Sequence, residues 1–365
     1  MIGRAFDMLS RRIDGPLMAT IALTLALGLT VVYSASGGAS FDRVIGQGRN
    51  LALALFALWV FANVPPQTLM RLAPPAYIIG LALLVAVAFF GEVRNGARRW
   101  LNLGVGTVQP SEIMKIAVPL VLAWYFHRHE EALRLRDFVI AAIMLAIPVG
   151  LIVRQPDLGT ALMIFASGFF VIFLAGLSWK VLLSLSAAAA ASLPFIWSMM
   201  HSYQRQRILT LLDPMEDPLG AGYHIIQSTI AIGSGGILGK GWLNGTQAQL
   251  DFVPERSTDF ILAVFSEEFG LAGNVVLLTL YTLLIARGLM IAASASTVFA
   301  RLAAGAITLT FFTYAFVNMG MVSGILPVVG VPLPMVSYGG TALLSMLAGF
   351  GILMSISTHK QLVSS

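Results

Sequence analysis

Apolar stretches of bilayer length recur along almost the whole chain and constrain its fold more than any other feature. Hydrophobic residues make up 58% of the 365 residues and charged residues 11%, whereas a soluble domain carries roughly 25% charged residues. The stretches are long and lack period-two alternation, which predicts helices rather than a β-barrel. We predict an all-α polytopic membrane protein, a single integral membrane domain over residues 1–365. About ten transmembrane helices are predicted, at residues 16–35, 49–64, 74–91, 112–127, 138–154, 158–176, 179–200, 260–287, 300–320 and 338–358.

The charges near the chain ends and short loops predict the orientation. Arg4, Arg11 and Arg12 precede the first apolar run, which ends in the small residues SASGGAS, as in a signal peptide. The run exceeds the roughly 7–15 residues of a signal peptide, so an uncleaved first helix is expected. Lys and Arg divide evenly between the two sides, but the N-terminal cluster and the 128–136 loop favour both termini inside. The outer cations fit either lipid headgroups or an anionic ligand.

Residues 201–258 form the one long connection between predicted spans. Loops of this size are usually functional or disordered. We interpret this one as a large structured extracytoplasmic loop. At its end the segment GTQAQLDFVPERSTDFILAVFSEEFG (Gly245 to Gly270) places five carboxylates in a chain that is otherwise poor in charge. Asp259 stands where the polar loop becomes an apolar run, and ionisable groups at the edge of a bilayer usually have a function.

Two short motifs at predicted helix starts combine a turn residue with charge. In QPSEIMK, Pro110 suits a first helical turn, and Glu112 and Lys115 share one helix face. That pair either braces two helices or forms a cavity wall presenting Lys115 to an anion. In RQPDLGT, Asp157 either caps the following helix or pairs with an outer arginine to shape the cavity.

Three further segments contain residues suited to a ligand or a cavity. Arg205 and Arg207 suit phosphate contacts, although lipid headgroups would serve equally. In GSGGILGKG, Gly241 follows Lys240 where a nucleotide-binding loop needs Ser or Thr, so a hinge or turn is expected, with a phosphate contact for Lys240 as the alternative. The Pro- and Gly-rich stretch 321–341 predicts non-helical backbone that is packed or lines a cavity. No metal-ligand cluster is evident in the sequence.

Taken together, the motifs resemble those of the SEDS family, the shape, elongation, division and sporulation proteins. They occur in family order over nearly the whole chain: NGARRWLNLG, QPSEIMK, QPDLGT, DPLGAGYHIIQS, AIGSGGILGKG, GTQAQLDFVPERSTDFILAVFSEEFG and NMGMVSGILPVVGVPLPMVSYGG. The GTQAQLDFVPER segment is similar to the elongation branch rather than the division branch. Ser257 stands where elongation members commonly have His, two residues before Asp259.

The resemblance implies a ten-helix peptidoglycan glycosyltransferase in the bacterial cytoplasmic (inner) membrane, with its active site facing the periplasm. It would polymerise lipid II into β-1,4-linked glycan by an inverting reaction, beside a class B penicillin-binding protein and the elongation machinery. Nucleic acid is not an expected partner. A divalent cation, Mg²⁺ or Mn²⁺, would suit the pyrophosphate of the substrate, although no cofactor is certain.

Site residues follow from the same resemblance. Asp259 matches the essential family aspartate and is expected to act as general base. The expected substrate-binding residues are Arg43, Glu112, Lys115, Gln204, Arg207 and, more weakly, Lys240; Pro110, Asp157, Ser337 and Gly339 are expected to shape the cavity. Two alternatives remain open, a lipid II flippase and a non-catalytic scaffold for the penicillin-binding partner. A flippase would carry polar residues through the full membrane depth, whereas the charges here cluster at the outer edge.

Overall fold

The computed structural model describes residues 13–37, 41–94, 97–102, 107–200, 202–216, 218, 221–250 and 252–359. Most of these residues form helices: α1 Gly15–Ala35, α2 Asp42–Asn63, α3 Pro66–Phe90, α4 Pro110–Arg128, α5 Leu135–Val153, α6 Leu158–Leu174, α7 Trp179–Met199, α8 Ser202–Leu212, α9 Ala221–Ser234, α10 Thr246–Gln249, α11 Ile261–Ala293, α12 Val298–Val322 and α13 Thr341–Thr358. A 3₁₀ turn follows at Pro214–Glu216. The predicted all-α polytopic membrane fold is confirmed.

Each of the ten predicted spans coincides with one of these helices. Eight described helices are long and apolar enough to cross a membrane, namely α1, α2, α3, α5, α7, α11, α12 and α13. The other two positions hold α4, which carries Glu112 and Lys115, and α6, which has 17 residues. The number of crossings and the inside location of both termini stay predictions.

A small sheet between α3 and α4 departs from the all-helical expectation. β1 Glu92–Arg94, β2 Ala97–Asn102 and β3 Thr107–Val108 pair antiparallel in chain order. Glu92 lies opposite Trp100, and Leu101 lies opposite Val108. β1 and β3, with three and two residues, are too short to show a period-two pattern, and β2 (ARRWLN) does not alternate, so the sheet was not predicted.

The helices differ in how deeply they are buried. In α12 and α13, about 61% of the membrane-length window is buried inside the protein, whereas none of α7 is. The central α12 therefore packs on several neighbours, and α7 presents its apolar residues outward, as a helix facing lipid would. The long loop contains α8, α9 and α10, so the predicted structure within it is present; its extracytoplasmic location remains a prediction.

A break in α11 fixes the position of the long loop. Gly270 has φ 62° and ψ −159°, which interrupts the helix. The segment 235–241 supplies the missing hydrogen bonds: Lys240 N donates to Glu267 O at 3.0 Å, and Leu271 N donates to Gly236 O at 2.9 Å. Backbone groups freed inside a membrane helix need such partners. The glycine-rich segment expected to be a hinge or turn is thus a packed turn that completes the α11 backbone.

Candidate active site

Asp259 lies in a tight turn, residues 254–260, immediately before α11. Glu255 takes a left-handed conformation with φ 48°, and its carbonyl oxygen accepts hydrogen bonds from Thr258 N at 3.0 Å and Phe260 N at 3.3 Å. The Thr258 hydroxyl also donates to the Glu255 carboxylate at 2.9 Å. The turn is therefore closed on itself, with Asp259 near its end.

Three consecutive carbonyls of this turn accept hydrogen bonds from the last third of the chain. Tyr338 N donates to Ser257 O at 2.8 Å, and the Ser337 hydroxyl donates to Thr258 O at 2.6 Å. The Asn318 carboxamide donates to Asp259 O at 2.8 Å. The main chain that presents the Asp259 carboxylate is thus tied to α12 and to the 326–340 loop.

Ser337 and Gly339, both expected at the cavity, belong to this support. The Ser337 hydroxyl accepts from Leu333 N at 2.7 Å while donating to the turn. Gln47 of α2 bridges the two residues, because its amide donates to Ser337 O at 3.2 Å and accepts from Gly339 N at 3.2 Å. Both residues therefore hold the Asp259 turn against α2.

The Asp259 carboxylate is partly buried against the 326–340 loop. A Cβ atom at Gly330, whose φ is 72°, would lie 3.4 Å from Asp259 Oδ2, so the loop backbone closes on the carboxylate. Burial disfavours the charged form and, with a smaller contribution from the Glu255 charge, raises the pKa of Asp259 to about 6. A carboxylate with a pKa close to neutral is suited to general base catalysis.

Arg43 of α2 reaches the same turn. Its guanidinium donates to the Ser257 hydroxyl at 3.1 Å. Arg43 and residues 253–257 line a polar cavity of about 260 Å³. Of the expected substrate-binding cations, Arg43 is the one that the described structure brings to the Asp259 turn. Its partner Ser257 is the residue that stands where the resemblance leads us to expect histidine.

Glu112 and Lys115 form a buried ion pair in the first turns of α4, directly after Pro110 at the helix start. Lys115 Nζ lies 2.8 Å from Glu112 Oε1, and these side chains are 10% and 13% exposed. The other carboxylate oxygen of Glu112 accepts from the Ser345 hydroxyl at 2.7 Å. Lys115 Nζ lies 5.4 Å from the centroid of the Tyr314 ring. The pair therefore braces α4 against α12 and α13.

Packing links this ion pair to the Asp259 turn. Tyr314 clusters with Met163 and Val331, and Val331 follows Gly330, which closes on Asp259. Tyr314 and Asn318 are four residues apart on α12, so they share one face of the helix. The Glu112–Lys115 pair on α4 is therefore linked to the Asp259 turn indirectly, through Tyr314 and Val331.

Asp157 makes both contacts that the sequence suggested, a helix cap and a pair with an arginine; a role in shaping the cavity stays a prediction. It caps α6, since its carboxylate accepts from Thr160 N at 3.1 Å. It also forms an ion pair with Arg99 of β2 at 3.5 Å. Gly159, in the first turn of α6, packs closely on Val329 O. Asp157 therefore anchors the small sheet to the helix that supports the 326–340 loop.

The remaining expected contacts lie elsewhere. Lys240 donates to Glu267 Oε1 at 2.7 Å and to the Thr246 hydroxyl at 2.8 Å, so its ammonium group is engaged at the α11 break. Gln204 and Arg207 lie on α8, but their side chains fall outside the described structure. Arg205 binds the carbonyls of Trp197 and Ser198 at the end of α7. Among the described residues, no group of three or more His, Cys, Asp or Glu could hold a metal ion.

Asn318 is the site residue that sequence reasoning missed. It is a lone amide in an apolar helix, which carries no periodic or motif signal of its own. Its position within the NMGMVSG motif was the available clue, but only the fold shows that it reaches the Asp259 turn.

Comparison with known proteins places the chain in a family. The family model FtsW/RodA/SpoVE, described as "Cell cycle protein", matches residues 16–362. The chain belongs to this family, the SEDS family. It is 53% identical over 355 residues to the peptidoglycan glycosyltransferase MrdB of Escherichia coli K12, covering 96% of this chain and 95% of that one. It is 35% identical to a probable peptidoglycan glycosyltransferase FtsW of Geobacter metallireducens, covering 94% of each.

Solved structures of SEDS proteins have the same fold. One chain of a peptidoglycan synthase complex, described in terms of coordinated polymerization and crosslinking, superposes with a TM-score of 0.82 at 35% identity, covering 96% of this chain and 99% of that chain. The Thermus thermophilus rod shape determining protein RodA superposes with a TM-score of 0.72 at 30% identity, covering 96% and 98%. The identity to MrdB and the RodA fold agree with the elongation branch that the sequence indicated.

Proposed function

We propose that this SEDS protein is a peptidoglycan glycosyltransferase that polymerises lipid II on the outer face of the cytoplasmic membrane. Lipid II is a disaccharide-peptide carried on undecaprenyl pyrophosphate. The growing lipid-linked glycan is the donor and incoming lipid II is the acceptor. Support comes from the shared family and from the relatives named peptidoglycan glycosyltransferases.

The observation that carries the chemistry is the Asp259 carboxylate, half-buried beside an apolar helix on a main chain fixed by hydrogen bonds. The donor is α-linked and the product β-linked, so a single inverting displacement suffices. The acceptor hydroxyl oxygen bonds to the anomeric carbon of the donor while its proton passes to Asp259. The bond from that carbon to the pyrophosphate breaks, and undecaprenyl pyrophosphate departs with the electron pair. Arg43, beside the same turn, is the proposed phosphate contact.

The proposed partner is a class B penicillin-binding protein that crosslinks the new strands during elongation. The structural neighbour from a peptidoglycan synthase complex supports this pairing. The Asp259 turn would then face the periplasm, where both the lipid-linked disaccharide and the crosslinking enzyme act. The proposed location of the active site on the outer side of the membrane rests on the N-in orientation. The N-terminal arginines and the 128–136 loop favour that orientation.

The test is polymerisation of lipid II by the purified chain with its partner, compared with Asp259→Ala. Polymer from the wild type alone supports the proposal. Polymer from both proteins would remove Asp259 as the base. If the wild type made no polymer but moved lipid II across liposome membranes, transport would replace the proposed activity. If it did neither but stimulated crosslinking by its partner, the scaffold role would stand.

The rate of polymerisation is expected to fall as the pH drops through about 6. The base must be ionised, and the pKa of Asp259 is raised to about 6. The charged and titratable groups around it are Glu255, Arg256, Arg43 and His224, which stacks on Phe260; burial lowers the pKa of His224. Because the Glu255 charge raises the pKa of Asp259, Glu255→Gln should move the acid limb of the pH–rate profile to lower pH.

The control for this profile is Glu130→Gln, which removes an exposed carboxylate of the α4–α5 turn. Its acid limb should coincide with that of the wild type. An unchanged limb in Glu255→Gln, or a wild-type limb near pH 4, would contradict the assignment of the limb to Asp259.

Arg43→Gln is expected to raise the KM for lipid II about tenfold, because a charge-assisted contact to the pyrophosphate contributes about 1.5 kcal/mol or more. Arg43→Lys should recover part of the loss, since Lys keeps the charge but not the bidentate geometry. The matched control is Arg49→Gln, the same change at another exposed position of α2. Equal effects of the two glutamine variants would mean that general surface charge, rather than Arg43, attracts the substrate.

A further inference from the structure

Asn318 makes its hydrogen bonds to two different parts of the active site. Its carboxamide nitrogen donates to Asp259 O at 2.8 Å and to Val331 O at 2.7 Å. The first bond holds the turn that presents the catalytic carboxylate. The second holds the loop whose Gly330 backbone closes on that carboxylate. The Asn318 side chain therefore fixes the position of the Asp259 turn relative to the 326–340 loop.

The other half of the same amide makes no hydrogen bond. Asn318 is fully buried, and its Oδ1 atom has no hydrogen-bond partner within the described structure. A buried acceptor without a partner costs about 1–3 kcal/mol. An apolar side chain would avoid this cost in a helix with Val317 and Met319 on either side. Because both protons of the amide are donated, the group cannot rotate to satisfy the oxygen without losing both bonds.

The packing of Tyr314 helps to orient the amide donors of Asn318. Tyr314, one turn earlier on the same face of α12, packs with Met163 and Val331. The Val331 side chain is thus held by Tyr314 and its carbonyl oxygen by Asn318. Tyr314 and Asn318, one helical turn apart on α12, both hold the loop, and Asn318 also bonds to Asp259 O. An unsatisfied buried polar group in such a place is the kind of local conflict found at functional sites.

We infer that Asn318 is a positioning residue for glycosyl transfer, which sets the distance of the Asp259 carboxylate from the acceptor hydroxyl by clamping the Asp259 and Val331 carbonyls together. This inference rests on the proposed role of Asp259 as base. The amide itself touches neither substrate nor proton. Its contribution is expected in the chemical step rather than in lipid II binding, since a displacement of about 1 Å costs roughly 100-fold in rate.

The experiment compares Asn318→Ala and Asn318→Leu with the matched control Asn274→Ala, in the full chain bound to its penicillin-binding partner. Asn274 also donates through its amide to a backbone carbonyl, Gly270 O at 2.9 Å, but at the partly buried α11 break away from the turn. The measurements are kcat and KM with lipid II, the acid limb of the pH–rate profile, and the thermal midpoint of each variant. The leucine variant fills the space of the amide, so it supplies the same readouts if the alanine variant does not fold.

We expect both Asn318 variants to lose about 10- to 100-fold in kcat with KM within about threefold of the wild type. Their acid limb should move to lower pH, because a loosened turn lets water reach the carboxylate. Asn274→Ala should keep kcat and the acid limb, whatever its effect on the thermal midpoint. Wild-type kcat in the Asn318 variants, or a loss shared equally with Asn274→Ala, would overturn the inference.

The outcome separates this inference from the proposed function. If Asp259→Ala is inactive and the Asn318 variants keep wild-type kcat and acid limb, the base stands and the positioning role fails. If Asp259→Ala retains activity, the base assignment fails first, whatever the Asn318 variants show.

Discussion

Asp259→Asn is expected to slow polymerisation by about 10²- to 10⁴-fold and, at neutral pH, to stabilise the folded protein. A general base contributes roughly 10²- to 10⁴-fold to the rate, and the amide cannot accept the acceptor proton. The carboxylate is also partly buried, with a pKa raised from 3.8 to about 6. Its ionisation therefore works against folding, and the neutral amide of nearly the same shape removes that penalty. Activity and stability should change in opposite directions.

The sign of the stability effect depends on pH. Since the folded-state pKa of Asp259 is higher than the unfolded one, the wild type loses stability as the pH rises from about 4 through 6. Above pH 6 the deficit is constant, and we expect Asp259→Asn to exceed the wild type by about 1–2 kcal/mol after allowing for partial solvent exposure. Below pH 4 the two proteins should be equally stable.

Thermal unfolding of the purified proteins at pH 7.5 and pH 4 measures this difference. The matched control is Asp213→Asn, the same substitution at an exposed position before the 3₁₀ turn; it should change neither the thermal midpoint nor the activity. A destabilised Asp259→Asn at pH 7.5 would show that the carboxylate forms a favourable interaction in the folded state. The raised pKa would then be wrong.

Helix placement was predictable from the sequence, because bilayer-length apolar runs leave few alternatives to a spanning helix. All ten predicted spans coincide with helices of the structure. Two local departures from this helical arrangement, a short sheet and a helix break, were less predictable. The three-stranded sheet at residues 92–108 consists of strands of two to six residues. The break at Gly270 is completed by four backbone hydrogen bonds with residues 236–241, about thirty residues earlier in the chain. Local propensity does not encode such contacts.

The sequence pointed to the candidate base, Asp259, but not to the residues that support its turn. The charge of Asp259 at a loop-to-helix boundary was visible in the sequence, and the resemblance to the SEDS family assigned its role. Asn318 lies 59 residues away from it, and one amide among apolar neighbours gives no periodic signal. Lys240 was the weaker candidate for a phosphate contact, as a cation in a glycine-rich loop; the fold pairs it with Glu267, and a contact with substrate stays a prediction.

Breaking the Glu112–Lys115 pair is expected to produce the largest loss of stability among the site variants. Both side chains are nearly inaccessible and lie 2.8 Å apart. Removing one partner of a buried pair leaves the other charge without compensation, at a cost of about 3–5 kcal/mol. Lys115→Met and Glu112→Gln should each give little folded protein. Glu130→Gln, which breaks an exposed pair with His127, should cost no more than about 1 kcal/mol.

The double variant Glu112→Gln/Lys115→Met decides between the bracing and binding roles that the sequence left open. With both charges removed, the desolvation cost disappears as well, and the glutamine can still bond to the Ser345 hydroxyl that now donates to Glu112. We expect stability to return to near the wild type, measured by thermal unfolding. Because the structure commits Lys115 to Glu112 and Tyr314, we expect the polymerisation rate to return within about fivefold, a difference of roughly 1 kcal/mol in activation free energy. A stable but inactive double variant would instead assign the Lys115 charge to the lipid pyrophosphate.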